Sequence, residues 1–107
     1  MQIHSEHQDI SITVPSSISI ELLSYATLLL LREEWIHIWS QEQGLEEDWK
    51  ATKGELNHSI MHFPDELDCK IVHDYFAEKP LVFPDYPLAD SFCNTFKPLL
   101  EEAKRLY

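Results

Sequence analysis

Six histidines and two cysteines in 107 residues are the side chains whose types and spacing could do chemistry. Four of them form one run, His58-x3-His62-x6-Cys69-x3-His73. On a helix, a four-residue step places two side chains one above the other. His58 with His62, and Cys69 with His73, would then each project from one side. The stretch between the two pairs is short enough to fold two helices back as a hairpin. Three imidazoles and a thiolate make a sensible tetrahedral zinc set, so these four residues are the candidate metal ligands. Two features weigh against zinc. The run lacks the close Cys-x2-Cys pairs that make zinc motifs specific, and on a helical wheel both histidines fall away from the apolar face. Solvated or edge-packed histidines are the competing expectation.

Glu34-x-x-His37 and Glu55-x-x-His58 have the spacing of di-iron carboxylate bundles, where each pair is joined by a Glu from another helix. No single-Glu helix precedes either pair here, and an acidic, His-rich chain produces such pairs by chance. Nucleophilic catalysis finds little support. Cys69 and Cys93 have no clear adjacent base beyond His73, Gly-x-Ser-x-Gly is absent, and Gly44 and Gly54 alone cannot build a phosphate loop. The expectation is therefore a non-enzymatic protein without a cofactor, zinc being the one alternative.

The elements that must position these residues read as helices. Ile10, Ile12 and Val14 alternate with Ser11 and Thr13, a short strand signal closed by Pro15. Ser16 or Ser17 then caps a helix running to Gln43 and stopped by Gly44. Its middle, Leu22 to Leu31, is apolar on all faces, as in a helix surrounded by others. Leu45, Trp49, Leu56, Ile60 and Phe63 fit one face of a second helix, with Gly54 a weak point. Pro64 opens a third, whose buried face is Leu67, Ile71, Val72, Tyr75 and Phe76. Pro80 to Pro87 is extended because three prolines in eight residues bar a regular helix. Leu88 to Tyr107 is a last helical region, which Pro98 either kinks or restarts. The expected fold is all-α: one domain over residues 1–107, a bundle of four to five helices around a long buried first helix. Residues 1–9 are expected to be flexible, and residues 10–14 to pair with 81–83 in a two-stranded ribbon.

Charge narrows the function. Eight basic and 19 acidic side chains give −11 with histidine neutral. Such a surface repels phosphate backbones and anionic lipid, so direct nucleic-acid and membrane binding are not expected. The opening residues carry no basic cluster followed by an apolar run, and two cysteines are too few for a disulfide framework, so a cytoplasmic protein with reduced thiols is expected. The acids are densest at Glu42, Glu46, Glu47 and Asp48, flanked by Trp39 and Trp49. Aromatic anchors among steering charges are what protein interfaces use. These six residues are the candidate partner-binding set. The reading is an acidic protein-binding module of the inhibitor, immunity or antitoxin kind that blocks a basic, nucleic-acid-handling partner. A scaffold subunit, homodimeric through the Pro80–Pro87 stretch and the C-terminal helix, is the alternative.

Overall fold

In a computed structural model, residues 2–5, 10–13, 19–63, 69–75 and 77–107 are described. The chain runs β1 (Gln2–Ser5), β2 (Ile10–Thr13), α1 (Ile20–Glu42), β3 (Asn57–Met61), β4 (Lys70–Asp74), β5 (Val82–Phe83), α2 (Tyr86–Thr95) and α3 (Lys97–Glu102). This mixed architecture overturns the all-α bundle of four to five helices. Among the described residues there are three helices and a three-stranded antiparallel sheet of order β4-β3-β5, on which α2 packs, and β1 and β2 form a separate two-stranded ribbon.

α1 begins where Ser19, in extended backbone, accepts a hydrogen bond from the Leu22 N–H (3.2 Å). Glu21 in the first turn meets the positive end of the helix dipole. The expected caps Ser16 and Ser17 lie outside the described residues. The helix ends as Gly44 implies. Gly44 adopts φ +74°, its N–H reaches the Gln41 carbonyl, and the Leu45 N–H reaches the Ser40 carbonyl. These two bonds are the Schellman arrangement, which satisfies carbonyls left over at a helix end.

α1 is not wrapped by other helices. Its fully buried side chains are Ser24, Leu28, Ile36 and Ser40, a single stripe at four- and eight-residue steps, whereas Ile20 stays 66% exposed. The ribbon lies against α1 through β1. β2 pairs with β1 and not with residues 81–83, so residues 2–5 are strand where flexible chain was expected. Val14 lies outside the described residues.

The expected second and third helices are replaced by β3 and β4. A helix from Glu46 to Phe63 would have to pass Gly54, which instead turns at φ +92° and donates its N–H to the Tyr75 carbonyl (3.0 Å). β4 is centred on β-branched Ile71 and Val72, which pack well on a pleated surface. Pro64, Leu67 and Phe76, which were to mark the third helix, lie outside the described residues. In the sheet, His58 stands opposite His73 on one side and Phe83 on the other, and Ile60 opposite Ile71. Strand alternation puts these five side chains on one face. α2 packs there, with Phe92 against Phe83 (ring centroids 5.0 Å) and Tyr86 beside His73 (5.9 Å).

β5 is two residues long, bounded by Leu81 and Pro84, and both its side chains are buried. Proline fits here because β5 is an edge strand. Asp85 caps α2, its carboxylate accepting from the Leu88 N–H at 2.8 Å. Pro98, in the first turn of α3, restarts the helix and does not kink it. One core results: Leu28 and Ile36 of α1, Ile60, Leu81 and Phe83 from the sheet, Ala89 and Phe92 of α2, and Leu100 and Ala103. Trp35 closes it, edge-on to Phe92 (5.4 Å) and Phe96 (5.3 Å).

Candidate functional site

The sequence-nominated acidic set lies at the C-terminal end of α1 and in the loop that follows. At 100° per residue, Trp35, Ile38, Trp39 and Glu42 share one side of α1. With Leu88 of α2 they line a shallow depression of about 200 Å³. Ile38 is 48% exposed and Leu45, just past the helix, 44%. Glu42, in the wall of that depression, and Glu46 and Glu47, in the loop after the helix, are exposed. Glu42 occupies the last turn, where the helix dipole is negative and no basic residue offsets it.

Asp48 and Trp49 do a different job. The Asp48 carboxylate is hydrogen-bonded to Nδ1 of His37 at 2.8 Å. The Trp49 N–H donates to the buried Ser40 hydroxyl at 2.8 Å, which itself donates to the Ile36 carbonyl at 2.7 Å. His37 and Ser40 lie on the side of α1 away from Trp39. The loop is thus pinned to one side of the helix by its last two members, and Glu46 and Glu47 stand clear. Trp49 packs against the core and borders a separate depression of about 250 Å³ with Arg32 and Lys79. The six nominated residues therefore divide: Trp39, Glu42, Glu46 and Glu47 are presented outward, while Asp48 and Trp49 hold the loop. Sequence reasoning missed Ser40 and His37, because nothing in their spacing announces a contact nine or eleven residues on.

Of the four nominated metal ligands, only His58 and His73 come together. His58 and His73 face each other across β3 and β4 with their Nδ1 atoms 2.7 Å apart, one ring donating to the other. Burial first, then the neighbouring His73, push the His58 imidazole below its ordinary pKa, and Asp85 opposes them. Cys69 instead meets Cys93 of α2, with Sγ atoms 3.6 Å apart. His62 follows β3 outside the sheet. Among the described residues, no three His, Cys, Asp or Glu side chains are grouped to hold a metal ion. The helical four-residue step that joined His58 to His62 and Cys69 to His73 does not exist, since strand replaces helix at both places.

The thiol pair lies in the wall of a depression of about 410 Å³, which Lys70, Tyr86, Asp90, Lys97 and Glu101 also border. No described helix is long and apolar enough to cross a membrane. Comparison with protein-family models, curated proteins and solved structures finds no match.

Proposed function

We propose that this chain is a non-enzymatic protein-binding module that docks through the C-terminal end of α1 onto a basic surface of another protein, of the kind that handles nucleic acid. The observation that carries the reading is the pairing of an apolar, tryptophan-lined depression with exposed carboxylates. Trp35, Ile38, Trp39 and Leu88 offer an anchor pocket with Glu42 in its wall, and Glu46 and Glu47 are exposed in the loop that follows the same helix end. Apolar anchors supply affinity at such interfaces, while surrounding charge selects the partner and speeds encounter. With a net charge of −11, the chain also steers basic surfaces toward itself over distances of about a Debye length. A second copy of this chain is a poor occupant, because two such acidic rims repel each other. By occupying a basic groove, the carboxylates would exclude phosphates from it, which is an inhibitory action.

The test compares the wild-type chain with the Glu42→Lys, Glu46→Lys, Glu47→Lys triple variant as bait in host extract, then measures the affinity of any captured partner directly. The reading expects a basic partner whose binding weakens at least about tenfold in the variant and with rising salt, at unchanged circular dichroism and melting temperature. It also expects wild-type protein to displace nucleic acid from that partner. A partner that binds both proteins equally, or a complex insensitive to salt, overturns it.

A further inference from the structure

The Cys69–Cys93 pair has no part in the acidic surface, and its geometry carries an inference of its own. We propose that Cys69 and Cys93 are a redox modification site, a dithiol that closes to an intramolecular disulfide by exchange with a low-molecular-weight disulfide such as oxidised glutathione. The two sulfurs come from elements far apart in sequence, Cys69 just ahead of β4 and Cys93 within α2, yet lie 3.6 Å apart. A disulfide needs about 2.05 Å between sulfurs, so closure requires a shift of roughly 1.5 Å. Cys69 stands just outside the regular strand, next to its first residue Lys70.

Access and charge suit the reagent. Both thiols are only half-buried and border the depression of about 410 Å³. Lys70 and Lys97 stand in its wall to meet the carboxylates of a glutathione moiety, and Asp90 and Glu101 stand there to meet its ammonium group. Hydrogen bonding to Cys69, burial and the charge of a Cys69 thiolate all push the Cys93 thiol upward. Cys69, ahead of β4 and outside any helix or strand, is the sulfur that attacks, while Cys93 is held within α2.

In the first step, the Cys69 thiolate attacks one sulfur of oxidised glutathione. The reagent's S–S bond breaks and one glutathione leaves as thiolate, taking up a proton from water. In the second, Cys93 gives its proton to solvent and its sulfur attacks Cys69 Sγ, expelling the second glutathione. Two cysteine thiols lose two electrons and two protons, and one small-molecule disulfide becomes two thiols.

The experiment incubates the reduced, full chain in glutathione buffers of graded oxidised-to-reduced ratio, quenches in acid, alkylates free thiols and reads intact mass and peptide map. The expected product in the wild type is a monomer that has lost both alkylatable thiols together, with a mapped Cys69–Cys93 link and little glutathione adduct. In Cys93→Ser the second step is blocked, so the adduct on Cys69 should be at least about tenfold more abundant than in the wild type, given the advantage of an intramolecular attack. Wild-type chains that accumulate glutathione on both cysteines independently, cross-link between copies or remain reduced at every ratio overturn the proposal. The wild-type mass alone decides this, so a folding defect in the variant leaves the test intact.

Discussion

Ser40 is the residue on which presentation of the acidic loop turns, and Ser40→Ala isolates its hydroxyl. The side chain is 1% exposed, and alanine is close to it in volume, so the change opens no cavity and forces no clash. Two hydrogen bonds go: one to the Ile36 carbonyl, which the helix already engages, and one from the Trp49 N–H. The second is the costly one. If the loop stays in place, Trp49 keeps an unpaired, partly buried N–H worth about 1–3 kcal/mol. If the loop lifts, that group finds water and the loss falls to the net value of a hydrogen bond, about 1 kcal/mol. The expected destabilisation is therefore about 1–2 kcal/mol, or roughly 5–15 °C in melting temperature for a chain of this size. Urea unfolding followed by circular dichroism measures the first quantity. Amide hydrogen exchange measures the second, because Trp49 should exchange about tenfold faster once the loop is released. Thr27→Val serves as the control. Thr27 makes the same bond to a carbonyl four residues back, to Leu23, but its hydroxyl caps no loop, so a change within about 0.5 kcal/mol is expected. Were Ser40→Ala as stable as wild type with Trp49 equally protected, or Thr27→Val equally costly, the reasoning would be wrong.

Phe92 is fully buried where Trp35, Phe83 and Phe96 meet, so Phe92→Ala should cost about 3–5 kcal/mol, and Phe92→Leu well under half of that, in the same urea titration. Because the folded chain holds the His58 proton less tightly than the unfolded one, this residue's contribution is fully present above the unfolded pKa of about 6.5 and is lost as pH falls through the lower folded value. Melting temperature should accordingly drop as pH falls from 7.5 toward 5, and His58→Gln should flatten that slope. An unchanged slope would place the acid sensitivity elsewhere.

Legibility in the sequence followed the locality of the forces. The long first helix and its stop could be read because both are local: an apolar run, then Gly44 at the one place where a left-handed residue closes the helix. The restart at Pro98 is local in the same way. β3 and β4 could not be read. A strand announces itself by alternation, but β3 is the central strand and buries Asn57 and Ser59 on one face as well as Ile60 on the other, so apolar and polar residues do not alternate along it. Its partners lie up to 25 residues away in sequence, at Phe83. Leu45, Trp49, Leu56, Ile60 and Phe63 match a helical period only because the gaps between them were free to hold anything, including the turn at Gly54. The same distinction divides the candidate sites. Exposure of Glu42, Glu46 and Glu47 follows from local polarity, whereas the roles of Asp48 and Trp49 depend on His37 and Ser40. The Cys69–Cys93 contact depends on α2 crossing the sheet.

The acidic end of α1 runs against the usual local preference, and the direction of that conflict bears on the proposed function. Glu42 in the last turn faces the negative pole of the helix, a placement that costs a few tenths of a kcal/mol up to about 1 kcal/mol, and the loop that follows adds the exposed carboxylates of Glu46 and Glu47. Sequences tend to break such rules at functional sites and to compensate elsewhere. Compensation here is structural: the Schellman closure at Gly44, the Ser40–Trp49 bond and the His37–Asp48 contact hold the loop in the conformation that keeps the carboxylates exposed. A loop fixed in advance loses little conformational entropy on docking, so more of the interaction energy appears as affinity. On the proposed reading, a basic partner would relieve the repulsion at the helix end and gain from that preorganisation at once. Ser40→Ala should then weaken partner binding while leaving every carboxylate in place, and Lys at positions 42, 46 and 47 should weaken it while leaving the loop pinned. Binding that responds to the second change and not to the first would mean that charge alone, and not its fixed presentation, recruits the partner.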